Sequence, residues 1–316
     1  MKNKTLTNTA PVLTAALKTT VTFALTVAFG MTTLADELPT TDRAGNEISV
    51  PEEITKVISM APSTSQVLEE LGLTDLLVAV DTQTAYYMEE TADLPQFDMM
   101  APDCESILAL DPDIVFVTGM SYLGADDPYA ELVEAGICVA QIPSSNSTID
   151  IEDDILFISE CFGMQKEGVA ILNEMNDVMA EIALIGETIT DKKTVLFEIA
   201  CLPNIYSFGS GVFLNEMLEL IGAENVFADQ ESWIAVTEES AIAANPDVIL
   251  TSVNYIEDPV GEILGREGWE NVTAVKNGAV AYIDNESSGL PNQNIVIALK
   301  EMAKAIYPEE YAEIGE

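Results

Sequence analysis

Carboxylates are the reactive groups this chain carries in number: 54 Asp and Glu stand against 12 Lys and Arg, and there is no histidine. Without imidazole the commonest general base is missing, as is the usual ligand for zinc, copper or haem iron. No G-x-S-x-G or phosphate-cradling G-x-x-x-x-G-K motif occurs, and no paired-carboxylate spacing stands out. Catalysis would have to rest on carboxylates brought together from distant parts of the chain. Cys104, Cys138, Cys161 and Cys201 show no C-x-x-C spacing. They can pair in three ways in an oxidising compartment or remain buried thiols. Neither a resident metal nor an organic cofactor is expected.

Two glutamates stand in matched settings. Glu105-Ser106-Ile107-Leu108-Ala109-Leu110-Asp111-Pro112-Asp113-Ile114-Val115-Phe116 is echoed by Glu239-Ser240-Ala241-Ile242-Ala243-Ala244-Asn245-Pro246-Asp247-Val248-Ile249-Leu250. In each copy the Glu opens a short helix seven residues before a Pro-Asp pair. Proline stops the helix and sets an extended entry to the apolar strand that follows. A looser echo pairs the helix before Leu71-Gly72 and Leu77–Val80 with the helix before Ile221-Gly222 and Val226-Phe227. A repeat of this length predicts two similarly built halves. For either glutamate, the plain structural role is helix capping, worth about 0.3–1 kcal/mol.

The elements that would position these residues alternate. Leu77–Val80, Ile114–Thr118, Ile137–Ile142, Thr194–Ile199, Asp247–Ser252 and Ala279–Ile283 read as short apolar strands. Ser63–Leu71 and Gly211–Ile221 read as helices ended by Gly72 and Gly222. Strands alternating with helices imply parallel sheets covered on both faces, an α/β class. Between the halves, apolar residues recur at helical spacing from Ile149 to Ile189, which predicts one long helix or two abutting ones. The expected organisation is a targeting segment over 1–35, an α/β lobe over 36–148, a linking helix over 149–189 and a second α/β lobe over 190–316.

The targeting segment is read from Lys2, Lys4 and Lys18, the uncharged run Val21 to Leu34, and Leu34-Ala35 before Asp36-Glu37. An uncleaved N-terminal anchor is the alternative; both place the remainder outside the cytoplasm. No cysteine precedes Cys104, so a lipid-modified cysteine is not expected. A formal charge of −42 excludes nucleic acid as a partner, and 48 % hydrophobic residues exclude disorder. A solvated acidic surface suits a soluble monomer.

Several segments together resemble the cobalamin and ferric-siderophore class of periplasmic solute-binding proteins that serve ABC-type importers. They are Asp42-Arg43-Ala44-Gly45-Asn46-Glu47-Ile48, Val57-Ile58-Ser59-Met60-Ala61-Pro62-Ser63, Glu105 through Phe116, Gly211-Val212-Phe213-Leu214-Asn215-Glu216-Met217, Gly222-Ala223-Glu224-Asn225-Val226 and Trp269 through Lys276. The resemblance implies two Rossmann-like lobes joined by a long rigid helix, with cargo held in the cleft between them. It implies a binding protein and not an enzyme. It also implies that one acidic residue per lobe, Glu105 and Glu239 (with Glu238 as neighbour), pairs with arginines of the permease. Bulky ligands call for aromatic walls. The candidates are Tyr86, Tyr87, Tyr122, Trp233 and Tyr255, with Ser59, Pro62 and Ser63 beneath. Trp269 is expected to be structural.

Two departures from the family pattern stand out. Ser65-Gln66 replaces a common T-E, and Pro291-Asn292-Gln293-Asn294 replaces a P-G-P-R-type turn. The only arginines are Arg43 and Arg266, and neither is expected at a cleft loop. Strongly anionic chelates need basic partners. The expected cargo is therefore a neutral or weakly charged metal chelate, a corrinoid first and a hydroxamate-type iron siderophore second. The rival roles are a ligand-sensing module of a membrane receptor and a His-free enzyme.

Overall fold

The alternating strands close into two separate parallel sheets. The computed structural model describes residues 38–124 and 126–315, so the expected targeting segment lies outside the described residues. In the first half, β1 (Val57–Ser59), β2 (Leu77–Asp81), β3 (Gln96–Phe97), β4 (Ile114–Thr118) and β5 (Cys138–Ile142) form a sheet ordered β3-β2-β1-β4-β5. The second half contributes β6 (Thr194–Glu198), β7 (Ile205–Phe208), β8 (Glu224–Asn225), β9 (Trp233–Val236), β10 (Val248–Thr251) and β11 (Val280–Tyr282). Its main sheet is ordered β11-β10-β6-β8, while β7 and β9 form a separate antiparallel ribbon.

The echo in sequence is an echo in space. Val57 pairs with Ile114 as Val195 pairs with Val248. Hence β1 corresponds to β6, β2 to β8, β4 to β10 and β5 to β11. Both corners are built alike. The helix Cys104–Leu110 ends on Asp111 at φ 54°, and the helix Glu238–Ala244 ends on Asn245 at φ 46°. Asp and Asn are the residues that tolerate this left-handed cap best after glycine. The next carboxylates then clasp the start of the central strand. Asp113 Oδ2 accepts from Thr55 N (2.7 Å), Thr55 Oγ1 (3.0 Å) and Lys56 N (2.9 Å). Asp247 Oδ2 accepts from Thr194 N and Oγ1, both at 2.9 Å.

Of the two readings of the stretch between the halves, the structure has the abutting pair, Thr148–Cys161 and Gln165–Gly186. The break falls at Gly163, whose φ of +65° an α-helix cannot contain. The first helix packs on helix Pro62–Glu70; the second packs on helices Phe213–Ile221 and Ile295–Ile306. The two helices also lie against each other, and a Cβ on Gly168 would sit 2.2 Å from Ser159 Oγ. That close approach explains a glycine inside an otherwise regular helix. All four cysteines are free thiols. Burial pushes the Cys138 thiol up to about 11 and raises Cys161 as well. Among the described residues no helix is long and apolar enough to cross a membrane.

Candidate functional site

Parallel strands leave their carboxyl ends open, and loops leaving those ends enclose ligands. The turns after β1 (Ala61–Thr64), β4 (Thr118–Met120) and β5 (Ile142–Ser145) line a cavity of about 260 Å³. The second half closes it with Phe213, Trp233 and Gly289–Pro291. Gly119 lets two of these turns meet, since a Cβ there would lie 2.8 Å from Ser144 N.

The walls are chiefly apolar. Asp154 is the one charged residue among those lining the cavity, and it is neutralised from behind. Arg43 Nε donates to Asp154 Oδ1 at 2.7 Å, and Ser145 Oγ donates to Oδ2 at 2.8 Å. Burial raises the Asp154 carboxyl above its ordinary range, and Arg43 and Ser145 pull it back in part. Arg43 also pairs with Asp153 at 3.3 Å, so its charge is spent on protein carboxylates. Two helices begin at the cavity, Pro62–Glu70 and Phe213–Ile221, and neither has a side-chain cap. Their first-turn N–H groups supply a mild positive potential from both halves. Such walls can cover apolar ligand surface, and the two helix starts offer N–H donors to ligand oxygens.

The structure brings three of the eight sequence-predicted ligand residues to this cavity: Pro62, Ser63 and Trp233. Trp233 stands edge-on to Phe208 and Phe213, at ring distances of 6.0 and 6.5 Å. Ser59 is buried behind the wall, where its Oγ donates to Ala61 O and accepts from Ser65 Oγ. Tyr86 and Tyr87 stack edge to face at 5.0 Å on a short helix; Tyr86 is exposed, and Tyr87 Oη reaches Asn285 Oδ1 at 3.3 Å. Tyr122 packs on Tyr129 and lines a second, polar cavity of about 660 Å³. That cavity is built from the first half alone, with Asp42, Glu47, Asp126 and Asp127 on its walls. Tyr255 is exposed and accepts a hydrogen bond from Cys201 N at 3.1 Å. Of the residues sequence reasoning missed, Thr118, Met120, Ser144 and Ser145 directly end or follow two expected strands, while Asp154, Ile155 and Ile158 come from the helix Thr148–Cys161. Strand ends were therefore a better signal than aromatic type.

Glu105 and Glu239 are both exposed, and each is the second residue of its helix. The capping role falls to others. Asp103 accepts from Ser106 N, and Thr237 accepts from Ser240 N. Glu238 is engaged, taking a hydrogen bond from Trp269 Nε1 at 2.9 Å. Trp269 is fully buried, in keeping with a structural part, and carries Arg266 over its ring at 4.7 Å. Arg266 in turn grips buried Glu198 through two bonds of 2.6 and 2.9 Å.

Two parallel sheets whose strand ends share one cavity define a solute-binding architecture, and the comparisons with known proteins agree. A family model described as "Periplasmic binding protein" matches residues 57–287. The uncharacterized ABC transporter substrate-binding lipoprotein YvrC of Bacillus subtilis is 30% identical over 274 residues, covering 86% of each chain. A cobalamin-binding protein of Halobacterium salinarum is 24% identical, over 84% of this chain and 73% of its own. The molybdate-binding protein MolA of Haemophilus influenzae, solved with molybdate, superposes with a TM-score of 0.76 at 22% identity. That match covers 88% of this chain and 94% of the other, and speaks for the fold alone. The chain belongs to the periplasmic binding protein family, whose members serve ABC-type importers; it is an extracytoplasmic binding protein and not an enzyme.

Proposed function

We propose that this protein captures a small metal chelate in the cavity between its halves and delivers it to an ABC permease. The halves act as two lobes, and Glu105 and Glu239 fix their orientation on the permease. The observation that carries this reading is the pairing of those glutamates. They are exposed, uncommitted to caps, and set on corresponding helices of two corresponding halves. Glu238 is the weaker candidate because Trp269 already holds it.

The cargo that fits this site is neutral or weakly charged. No Lys or Arg stands among the residues lining the cavity, and its one carboxylate is paired. A corrinoid remains the first choice and a hydroxamate-type iron chelate the second. Either exceeds the volume of about 260 Å³, so it would stand partly out of the open mouth unless the lobes part. The protein works at the outer face of the membrane.

Reversing charge at both sites, Glu105→Arg with Glu239→Arg, is expected to abolish transport in cells while cargo affinity of the purified protein changes less than about twofold. Transport at the wild-type rate would remove the docking assignment. Mass spectrometry of the native protein with its co-purified ligand tests the cargo, and recovery of a ferric catecholate would overturn the preference for weakly charged chelates.

A further inference from the structure

The two departures noted in the sequence meet each other. Gln66 lies on the first-half helix Pro62–Glu70, whose first turn lines the cavity. It is 3% exposed, and its polar groups are taken up by a single second-half segment more than 200 residues away. Its Oε1 accepts from Asn292 Nδ2 at 2.6 Å and from Asn294 Nδ2 at 3.4 Å. Its Nε2 donates to Glu286 Oε1. Its backbone carbonyl accepts from Gln293 Nε2 at 3.2 Å. Asn292 is itself fully buried, and its Oδ1 takes the N–H of Asn294 at 2.8 Å.

The chemistry of each partner fixes the orientation of the amide. A carboxylate can only accept, so Glu286 requires the nitrogen on its side. The oxygen must then face the amide donors of Asn292 and Asn294. A glutamate at this position would set a second carboxylate against Glu286 and lose the donated bond. Gln66 is thus demanded by Glu286, and the amide-rich turn is demanded by Gln66.

The segment so held runs directly into Gly289, Leu290 and Pro291, which form one wall of the cavity. We infer that Gln66 is the latch that sets the spacing of the two halves, and so the size of molecule the cavity admits. This rests on the reading of that cavity as the cargo site. Cargo larger than the cavity seats fully between the halves only when the four cross-half bonds of Gln66 break together. Those bonds are neutral except for the one to Glu286, so the latch depends little on salt.

A donor–acceptor exchange tests it. In Gln66→Glu, hydrogen–deuterium exchange of the backbone amides of 289–294 is expected to quicken about tenfold or more, and tryptophan emission to shift to the red as Trp233 gains water. In the double variant Gln66→Glu with Glu286→Gln, the donor moves to the other side of the same bond. Both signals are then expected to return to within about twofold of wild type. A latch that is only packing would not be rescued in this way. Asn292→Ala is the second probe, with the same expected opening, should the single Gln66 variant fail to fold. Wild-type exchange in a folded Gln66→Glu, or a double variant that stays as fast as the single, overturns the latch. With cyanocobalamin as probe, association is expected to be about tenfold faster in Gln66→Glu than in wild type. Equal rates overturn the size limit. Failure of every variant to bind cyanocobalamin counts against the corrinoid reading alone, because the exchange measurement needs no cargo.

Discussion

Directly after its central strand the first half places Met60, while the second half places Glu198 in the corresponding position at the end of β6. Both are fully buried. Met60 needs only apolar neighbours such as Ile107 and Val115. Glu198 needs the bidentate grip of Arg266, which itself requires Glu262 at 2.6 Å and the face of Trp269. The halves share strand order and corner chemistry but not the composition of their cores. A repeated fold is preserved where the backbone turns, and the filling between turns is free to diverge.

The largest break in this comparison comes from Arg266→Met. It leaves Glu198 charged and alone in the interior and is expected to cost about 3–5 kcal/mol, read from urea denaturation. Burial already holds the Glu198 carboxyl above its ordinary range. A group raised on folding contributes stability at low pH and loses it as pH climbs through the folded value. Without Arg266 that rise grows, so the deficit is largest at neutral pH and shrinks toward about pH 4.

The next effect sharpens the comparison. Asp113→Ala and Asp247→Ala each remove a strand clasp and are expected to cost about 1–2 kcal/mol, differing by less than about 0.5. The Asp113 carboxyl is held below its ordinary range, chiefly by the backbone N–H of Thr55. Its contribution is present above about pH 4 and fades as the pH falls through the folded value, so the Asp113→Ala deficit narrows in acid. Unequal costs at neutral pH would show that the two corners only look alike. The smallest effect is expected from Trp269→Phe, which loses the bond to Glu238 but keeps a ring beneath Arg266. About 1 kcal/mol, measured by the same denaturation, is the expected loss.

Much of this fold was legible in the sequence because its signals are local. Proline after a helix, glycine at Gly72 and Gly222, and short β-branched runs announce each corner to within a residue or two. The ribbon of β7 and β9 was not legible, since Ile205–Phe208 and Trp233–Val236 pair across an intervening helix and neither run alternates clearly. The site was harder still. Tyr86, Tyr122 and Tyr255 have the right chemistry, yet whether a ring faces the cavity depends on tertiary partners such as Tyr129 and Cys201 that no spacing encodes. Gln66 could be noticed as unusual, but its meaning lay more than 200 residues away.

Each parallel sheet is drawn from one uninterrupted stretch of chain, 57–142 and 194–282. A polypeptide that emerges amino end first therefore carries every strand of its leading sheet before the trailing one begins. The leading half can assemble on its own schedule. Joints such as Thr148 with Glu216, and Gln66 with Asn292, must wait for the trailing half to arrive.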